Sequence, residues 1–288
     1  MSTAFPHLLS PFRIRHLTFK NRIFVPAHGS GYADGGCVTD RHLAYLEARA
    51  KGGAAAIVTE AQSVDPDTYK WSYRLLCAAD DRCIPGLRRL AEMGRRHDCR
   101  VLGQLLHEGR AATHRIEGLR PVPVAPSDVP DERFKSIPLA LSVEAIWRIV
   151  GQYGDAGRRL VEAGLDGIEI LAGVGYLPSQ FLSPRANRRE DAFGGDPERR
   201  LRFVREVVAD IRRKVGEGPL LGLRFAGEEG DRDGLDATEA RAVILALAGD
   251  PAIDYVNITT GSTNSLGGAT MIVPPMFVPP GPMVAHAA

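Results

Sequence analysis

Six short apolar runs recur along the chain, at 22–27, 54–59, 100–106, 167–171, 220–225 and 255–260. Each of the first five is followed by a segment of helical periodicity, at 39–52, 84–97, 142–163, 198–215 and 237–248. Alternation of this kind, with strands that are apolar throughout, predicts a parallel sheet covered by helices. No G-x-G-x-x-G follows the first run, which favours a TIM (β/α)8-type α/β barrel over a dinucleotide-binding open sheet. Six strands can be counted where such a barrel closes with eight. The chain therefore reads as one barrel domain over 1–288, truncated after about six strands, with strands seven and eight and any C-terminal domains absent. An open barrel leaves strand edges exposed, which invites association.

Local signals agree with this division. Thr39 precedes the first helix as a cap, and Gly52-Gly53 stop it. Pro85 falls in the first turn of the second helix, where its missing N–H costs nothing. Along 142–163, Ile146, Ile149, Val150, Tyr153, Leu160 and Val161 keep one face. Residues 11–24 predict a hairpin leading into the first strand. Two long loops stand out, 62–82 with Tyr69, Trp71 and Tyr73, and a Pro-rich stretch at 118–141; loops this long are usually functional.

Composition narrows the function. With 44% hydrophobic and 25% charged residues, the 288-residue chain matches an ordinary globular protein. A net charge of +1 gives no reason to expect nucleic acid or a membrane surface as partner. No apolar run reaches the roughly 18 residues that span a bilayer, and the N-terminus lacks a signal-peptide layout. A cytoplasmic protein acting on a small molecule is expected, and homo-oligomerisation is compatible with it. The four cysteines form no Cys-x-x-Cys pair, so no metal site is expected and reduced thiols are the default.

In a barrel, chemistry gathers where strands exit at the C-terminal face. The candidates are Pro26, Ala27 and His28 after the first strand, and Glu60 and Ala61 after the second. Gln104 and His107 follow from the third, Gly173–Tyr176 from the fourth, Arg224 from the fifth, and the 259–264 loop from the sixth. The most specific stretch is Gly167–Phe203, a buried strand that breaks into a Gly-rich loop carrying Tyr176 and re-forms as a helix near Pro197. Its Gly-Tyr-Leu, Gln-Phe-Leu-Ser-Pro, Asn-x-Arg-x-Asp and Phe-Gly-Gly run resembles the Old Yellow Enzyme family of NADH:flavin oxidoreductases. The nearest branch is that of the 2,4-dienoyl-CoA reductases and trimethylamine dehydrogenases. LLSPFRIRHLTFKNRI, QLLHEGR, VAPS and EAGLDGIEI extend the likeness over nearly the whole chain.

The resemblance implies an FMN-dependent, ene-reductase-like enzyme, with NAD(P)H as reductant and an activated C=C bond (enoate, dienoyl or enone) as acceptor. Gln104 matches a glutamine on the flavin's pyrimidine edge, where an amide can both donate and accept. Arg224 matches an arginine that stabilises the negative charge left there by hydride uptake. Tyr176 matches a proton donor to the substrate's α-carbon. His28 stands where relatives carry a flavin-tuning Cys or Thr, or a cysteine bonded to the flavin, and cannot make that bond. Pro26, Ala27 and Ala61 would offer backbone contacts to the ring. An iron–sulfur cluster and FAD are expected only with a C-terminal region beyond these residues.

Two departures qualify that expectation. The His–His or His–Asn pair that grips a substrate carbonyl in many relatives is replaced by Leu171 and Val174. The histidine that the dienoyl-CoA reductase branch carries after strand six is missing from TGSTNSLGGAT. Other readings are an amine dehydrogenase-type flavoenzyme, a barrel lyase or aldolase, and a non-catalytic barrel fragment or binding module. The lyase needs a lysine or clustered carboxylates at strand exits, and these exits offer neither.

Overall fold

The computed structural model describes residues 5–69, 74–112, 121–276 and 278–287. Trp71, Tyr73 and 118–120 of the predicted loops lie outside them. Six strands, β1 (Phe24–Val25), β2 (Ala56–Ser63), β3 (Arg100–Leu106), β4 (Gly167–Leu171), β5 (Leu220–Ala226) and β6 (Tyr255–Thr259), line up in chain order, every neighbouring pair parallel. A short strand at Leu76–Cys77 adds to the end of β2. The sheet curls into an open half-barrel, with β1 and β6 at the two ends of the path.

Five helices cover its outer face: α1 (Asp40–Lys51), α2 (Cys83–Arg96), α3 (Val143–Glu162), α4 (Pro197–Val215) and α5 (Ala237–Ala248). Their starts are fixed by side chains that take up otherwise unpaired N–H groups. Thr39 accepts from His42, Ser142 from Ala145 and Asp196 from Arg199, while Asp236 and Glu239 form a reciprocal capping box on α5. The main core lies between strands and helices. Val101, Leu105, Ile168, Ile170, Leu221 and Leu223 meet Leu87, Leu90, Ile149, Val204 and Ile211 there.

Side chains of opposite parity point inside the barrel. The lower part is apolar: Ala56, Val58, Leu102 and Leu220 pack with Phe19, and Ala27 adjoins this cluster from the loop after β1. Phe19 belongs to the N-terminal hairpin, Phe12–Ile14 with Leu17–Phe19, and its ring stacks on Phe12 at 5.0 Å and meets Phe24 at 5.0 Å. The hairpin thus closes the N-terminal end, and the polar strand exits collect at the other.

Two boundaries differ from the sequence reading. The first strand is two residues rather than six, because it pairs only with β2. The second runs to Ser63 instead of stopping before Glu60. A register shift between Val58 and Ala61 lets pairing resume, with Ala61 opposite Gln104 and Ser63 opposite Leu106. Glu60 and Ala61 are therefore held in the wall rather than on a loop. Nor is 62–82 simply a loop, since it carries the helical turn Pro66–Tyr69 and the strand Leu76–Cys77. Among the described residues no helix is long and apolar enough to cross a membrane.

Candidate active site

Above the apolar layer the barrel interior turns polar. Gln104 and Glu169 are opposite each other in the β3–β4 ladder, and both are buried. Gln104 Nε2 donates to Glu169 Oε1 at 2.7 Å. The other carboxylate oxygen accepts from Tyr255 Oη at 3.1 Å and Asn257 Nδ2 at 3.2 Å. Burial pushes the Glu169 carboxyl up; these donors and the Arg224 charge oppose it. Gly222 is required here, because a Cβ at that position would lie 2.1 Å from the Tyr255 ring.

Arg224 lies between Leu171 and Asn257 in the ladders. Its Nη1 donates to the Ala27 carbonyl at 2.6 Å, which ties β5 to the loop after β1. Its Nε is buried without a partner. No salt bridge to Arg224 forms among the described residues, although its charge is felt by Glu169 on the neighbouring strand. Ala61 and Gln104 face each other in the ladder at the level of Glu169 and Gly222, and Arg224 lies one step further toward the strand exits, tied to the loop that carries Pro26 and Ala27.

His28 is exposed on the same loop. Its Nδ1 lies 3.0 Å from the Pro26 carbonyl and its Nε2 2.6 Å from Tyr45 Oη of α1. A carbonyl only accepts, so Nδ1 donates to Pro26, and Nε2 pairs with the Tyr45 hydroxyl. Both nitrogens are thus occupied by the protein. Behind this loop, buried Glu60 accepts from the Ser30 N–H at 2.6 Å and its hydroxyl at 2.5 Å. Glu60 anchors the loop.

Tyr176 opens the short helix Leu177–Leu182 and is half-buried. Its loop is wedged between two strand exits. Val174 forms a parallel bridge with Ser262 and accepts from the Thr263 N–H at 2.9 Å. Val174 adopts φ 65°, a conformation that a β-branched residue avoids. Such strain costs on the order of 1–3 kcal/mol and is typical of functional loops. Burial and the negative Glu108 push the Tyr176 phenol up to about 12, with Arg133 pulling the other way.

His107 leaves the site. It is buried, accepts from the Gly109 N–H at 3.0 Å, and faces Asp65 at 3.6 Å. Burial brings its imidazole down to about 4, so it is a neutral packing residue. Next to it, burial and the Asp65 charge push Glu108 up to about 8. The fold thus favours protonated Glu108, whose stabilising contribution is full below about pH 4.5 and lost as pH rises through about 8. His107 acts in the opposite sense, since its contribution is full above about 6.5 and lost as pH falls through about 4. Glu108→Gln is expected to stabilise the chain by on the order of 1–2 kcal/mol near pH ~8 and to do little near pH ~5. Urea melts at the two pH values check this; an equal change at both would contradict it.

Several site residues escaped the sequence reading: Glu169, Tyr255, Asn257, Ser30, and the buried Arg110. Arg110 Nε donates to Asn264 at 3.3 Å and lies 3.7 Å from Asp131, fastening the 118–141 excursion to the loop after β6. A lone Glu in the apolar run GIEIL, at inward parity, was the available signal for Glu169.

A sequence model of the NADH:flavin oxidoreductase / NADH oxidase family matches residues 7–266. The N,N-dimethylglycine/sarcosine dehydrogenase of Chromohalobacter salexigens is 33% identical over 99% of this chain and 41% of its own length. A probable NADH-dependent flavin oxidoreductase of Bacillus subtilis is 34% identical over 92% of this chain and 72% of its own. The structure of 2-naphthoyl-CoA reductase in complex with 2-naphthoyl-CoA superposes with a TM-score of 0.83 at 27% identity, covering 91% of this chain and 41% of that one. The chain spans about two fifths of the length of the first of these relatives.

Proposed function

The chain belongs to the NADH:flavin oxidoreductase / NADH oxidase family, and from that premise we propose that it forms the FMN-binding barrel of an NAD(P)H-dependent reductase acting on an activated C=C bond. The observation that carries this reading is the unpartnered Arg224 N–H one step above the Gln104–Glu169 pair inside the barrel. Arg224 holds a buried N–H with no partner, and Gln104 gives its NH2 end to Glu169, which leaves its carbonyl end for a ligand. A flavin's pyrimidine edge has carbonyl acceptors and one N–H donor, so both groups fit it.

FMN held there would supply hydride transfer between a reduced nicotinamide and the substrate. The chain's own residues then have separate tasks. The Arg224 guanidinium, fixed by Ala27, stabilises negative charge at the pyrimidine end. Pro26, Ala27 and Ala61 bound the ring with backbone. His28, held by Pro26 and Tyr45, lies on the loop beside them and offers no free nitrogen in this arrangement. Tyr176 gives its phenolic proton to the substrate carbon next to the one reduced. Leu171 and Val174 hold no donor for a substrate carbonyl, so a substrate must be gripped elsewhere; the backbone beside Tyr176 is at hand.

The test is the visible spectrum of the purified chain after incubation with FMN and desalting. Retained absorbance near ~450 nm in stoichiometric amount is the expected result for a flavin site. A folded, colourless protein would overturn FMN binding by this chain and favour the fragment reading.

A further inference from the structure

Gln104 is the pivot of the proposed site, and an amide side chain is ambiguous. Turned one way it offers a carbonyl, turned the other an NH2 group. The flavin's pyrimidine edge has a single N–H flanked by carbonyls, so the two orientations recognise different atoms. Something in the protein must choose. The neighbours of Gln104 make that choice visible. Glu169 is fully buried directly across the ladder, and a carboxylate can only accept, so it draws the nitrogen end of the amide at 2.7 Å. Glu169 is itself held on its far oxygen by Tyr255 and Asn257, both of β6. Its three donors leave little freedom to rotate, and Arg224 adds positive charge nearby.

We propose that Glu169 is a positioning residue that locks the Gln104 amide with its carbonyl free, so that the site selects the N–H of the flavin's pyrimidine ring. The inference rests on the FMN reading above. It gives a buried carboxylate inside an apolar strand a function, and it makes the identity of that one charge matter at a distance from the ring.

Replacement of the carboxylate by its isosteric amide separates positioning from packing. In Glu169→Gln the new carbonyl can still accept from Tyr255 and Asn257. Its NH2 group then faces Gln104, whose amide must turn over and present its own NH2 to the ligand. Volume and burial are unchanged; only the polarity offered at the ring is reversed.

The probes are FMN and N3-methyl-FMN, titrated against the native chain, Glu169→Gln and Tyr255→Phe, with flavin fluorescence as readout. The native chain is expected to prefer FMN to the methylated analogue by about tenfold or more, the worth of one hydrogen bond to a buried acceptor. Glu169→Gln should bring that ratio close to one, chiefly by weakening FMN. Tyr255→Phe, which removes one donor to Glu169 but leaves its charge facing Gln104, should keep most of the ratio. A native ratio retained in Glu169→Gln would overturn the positioning role. Failure of the native chain to bind FMN would instead overturn the reading beneath it. The side-chain amide resonances of Gln104, assigned by their loss in Gln104→Leu, give a second readout without ligand. They should shift in Glu169→Gln and not in a distant surface variant; unmoved resonances would show that Glu169 does not hold the amide.

Discussion

Arg224→Ala is expected to slow NAD(P)H-driven flavin reduction by about 10²–10³-fold, the usual consequence of removing a fixed donor at a site of developing negative charge. Folding should suffer far less. The side chain makes one hydrogen bond to the protein, from Nη1 to the Ala27 carbonyl, worth about 1 kcal/mol net. Its Nε is buried unpaired, so removing it relieves as much as it costs. A structural arginine would show the opposite balance, with its bonds spent on the protein. Arg212 is that case in this chain. It donates to Ala252, Pro219 and Gly216 and pairs with Asp254 at 2.8 Å. Arg224→Lys refines the test, because a lysine keeps the charge and can reach Ala27 but lacks the planar fork. It should recover part of the reduction rate. Stopped-flow reduction and urea melts on the same preparations decide the matter; losses of rate no larger than the loss of folded protein would sink the electrostatic role.

The strands were legible because parallel strands buried on both faces are written as continuous apolar runs. The helices were legible because their caps are single residues with one purpose, as at Thr39 and Ser142. What could not be read was where a polar run remains wall. TEAQS looks like a strand leaving the sheet, yet Glu60, Gln62 and Ser63 are buried in it. The bulge between Val58 and Ala61 that makes this possible leaves no mark in composition. The same limit hid the inner polar layer. Glu169 belongs to β4 whereas Tyr255 and Asn257 belong to β6, and only the register of β4, β5 and β6 brings the two donors to that carboxylate. For His107 the motif left a place at the mouth and a structural role equally open, and parity and burial turn it toward Asp65 on the packed side of the wall. Family resemblance supplied Gln104, Arg224 and Tyr176 by position, but it could not say that Gln104 is already held by a neighbour.

Tyr176→Phe is expected to separate the two halves of the proposed reaction. Reduction by NAD(P)H needs no proton from the phenol and should stay within about twofold of the native rate. Reoxidation by an activated alkene should slow by about 10²–10⁴-fold, the range for loss of a positioned general acid. The environment favours the acid over the base. Burial and Glu108 raise the phenol to about 12, so it remains protonated throughout the working range. A native alkene step limited by this proton should therefore show no fall from phenol ionisation up to about pH 10, where an ordinary tyrosine would already be half lost. Glu108 makes the effect conditional, because its own carboxyl, held at about 8, adds its negative charge beside the phenol only as pH rises. Glu108→Gln should accordingly lower the Tyr176 phenol in part, burial being the larger cause and unchanged, and move the alkaline limb of the alkene step to lower pH. The phenol matters only if a substrate lies against it, and its loop is suited to holding one. Val174 is strained at φ 65°, and the loop is pinned from both sides by the exits of β4 and β6. Unchanged alkene turnover in Tyr176→Phe would remove the tyrosine from the mechanism and leave the proton to water, since both nitrogens of His28 are engaged.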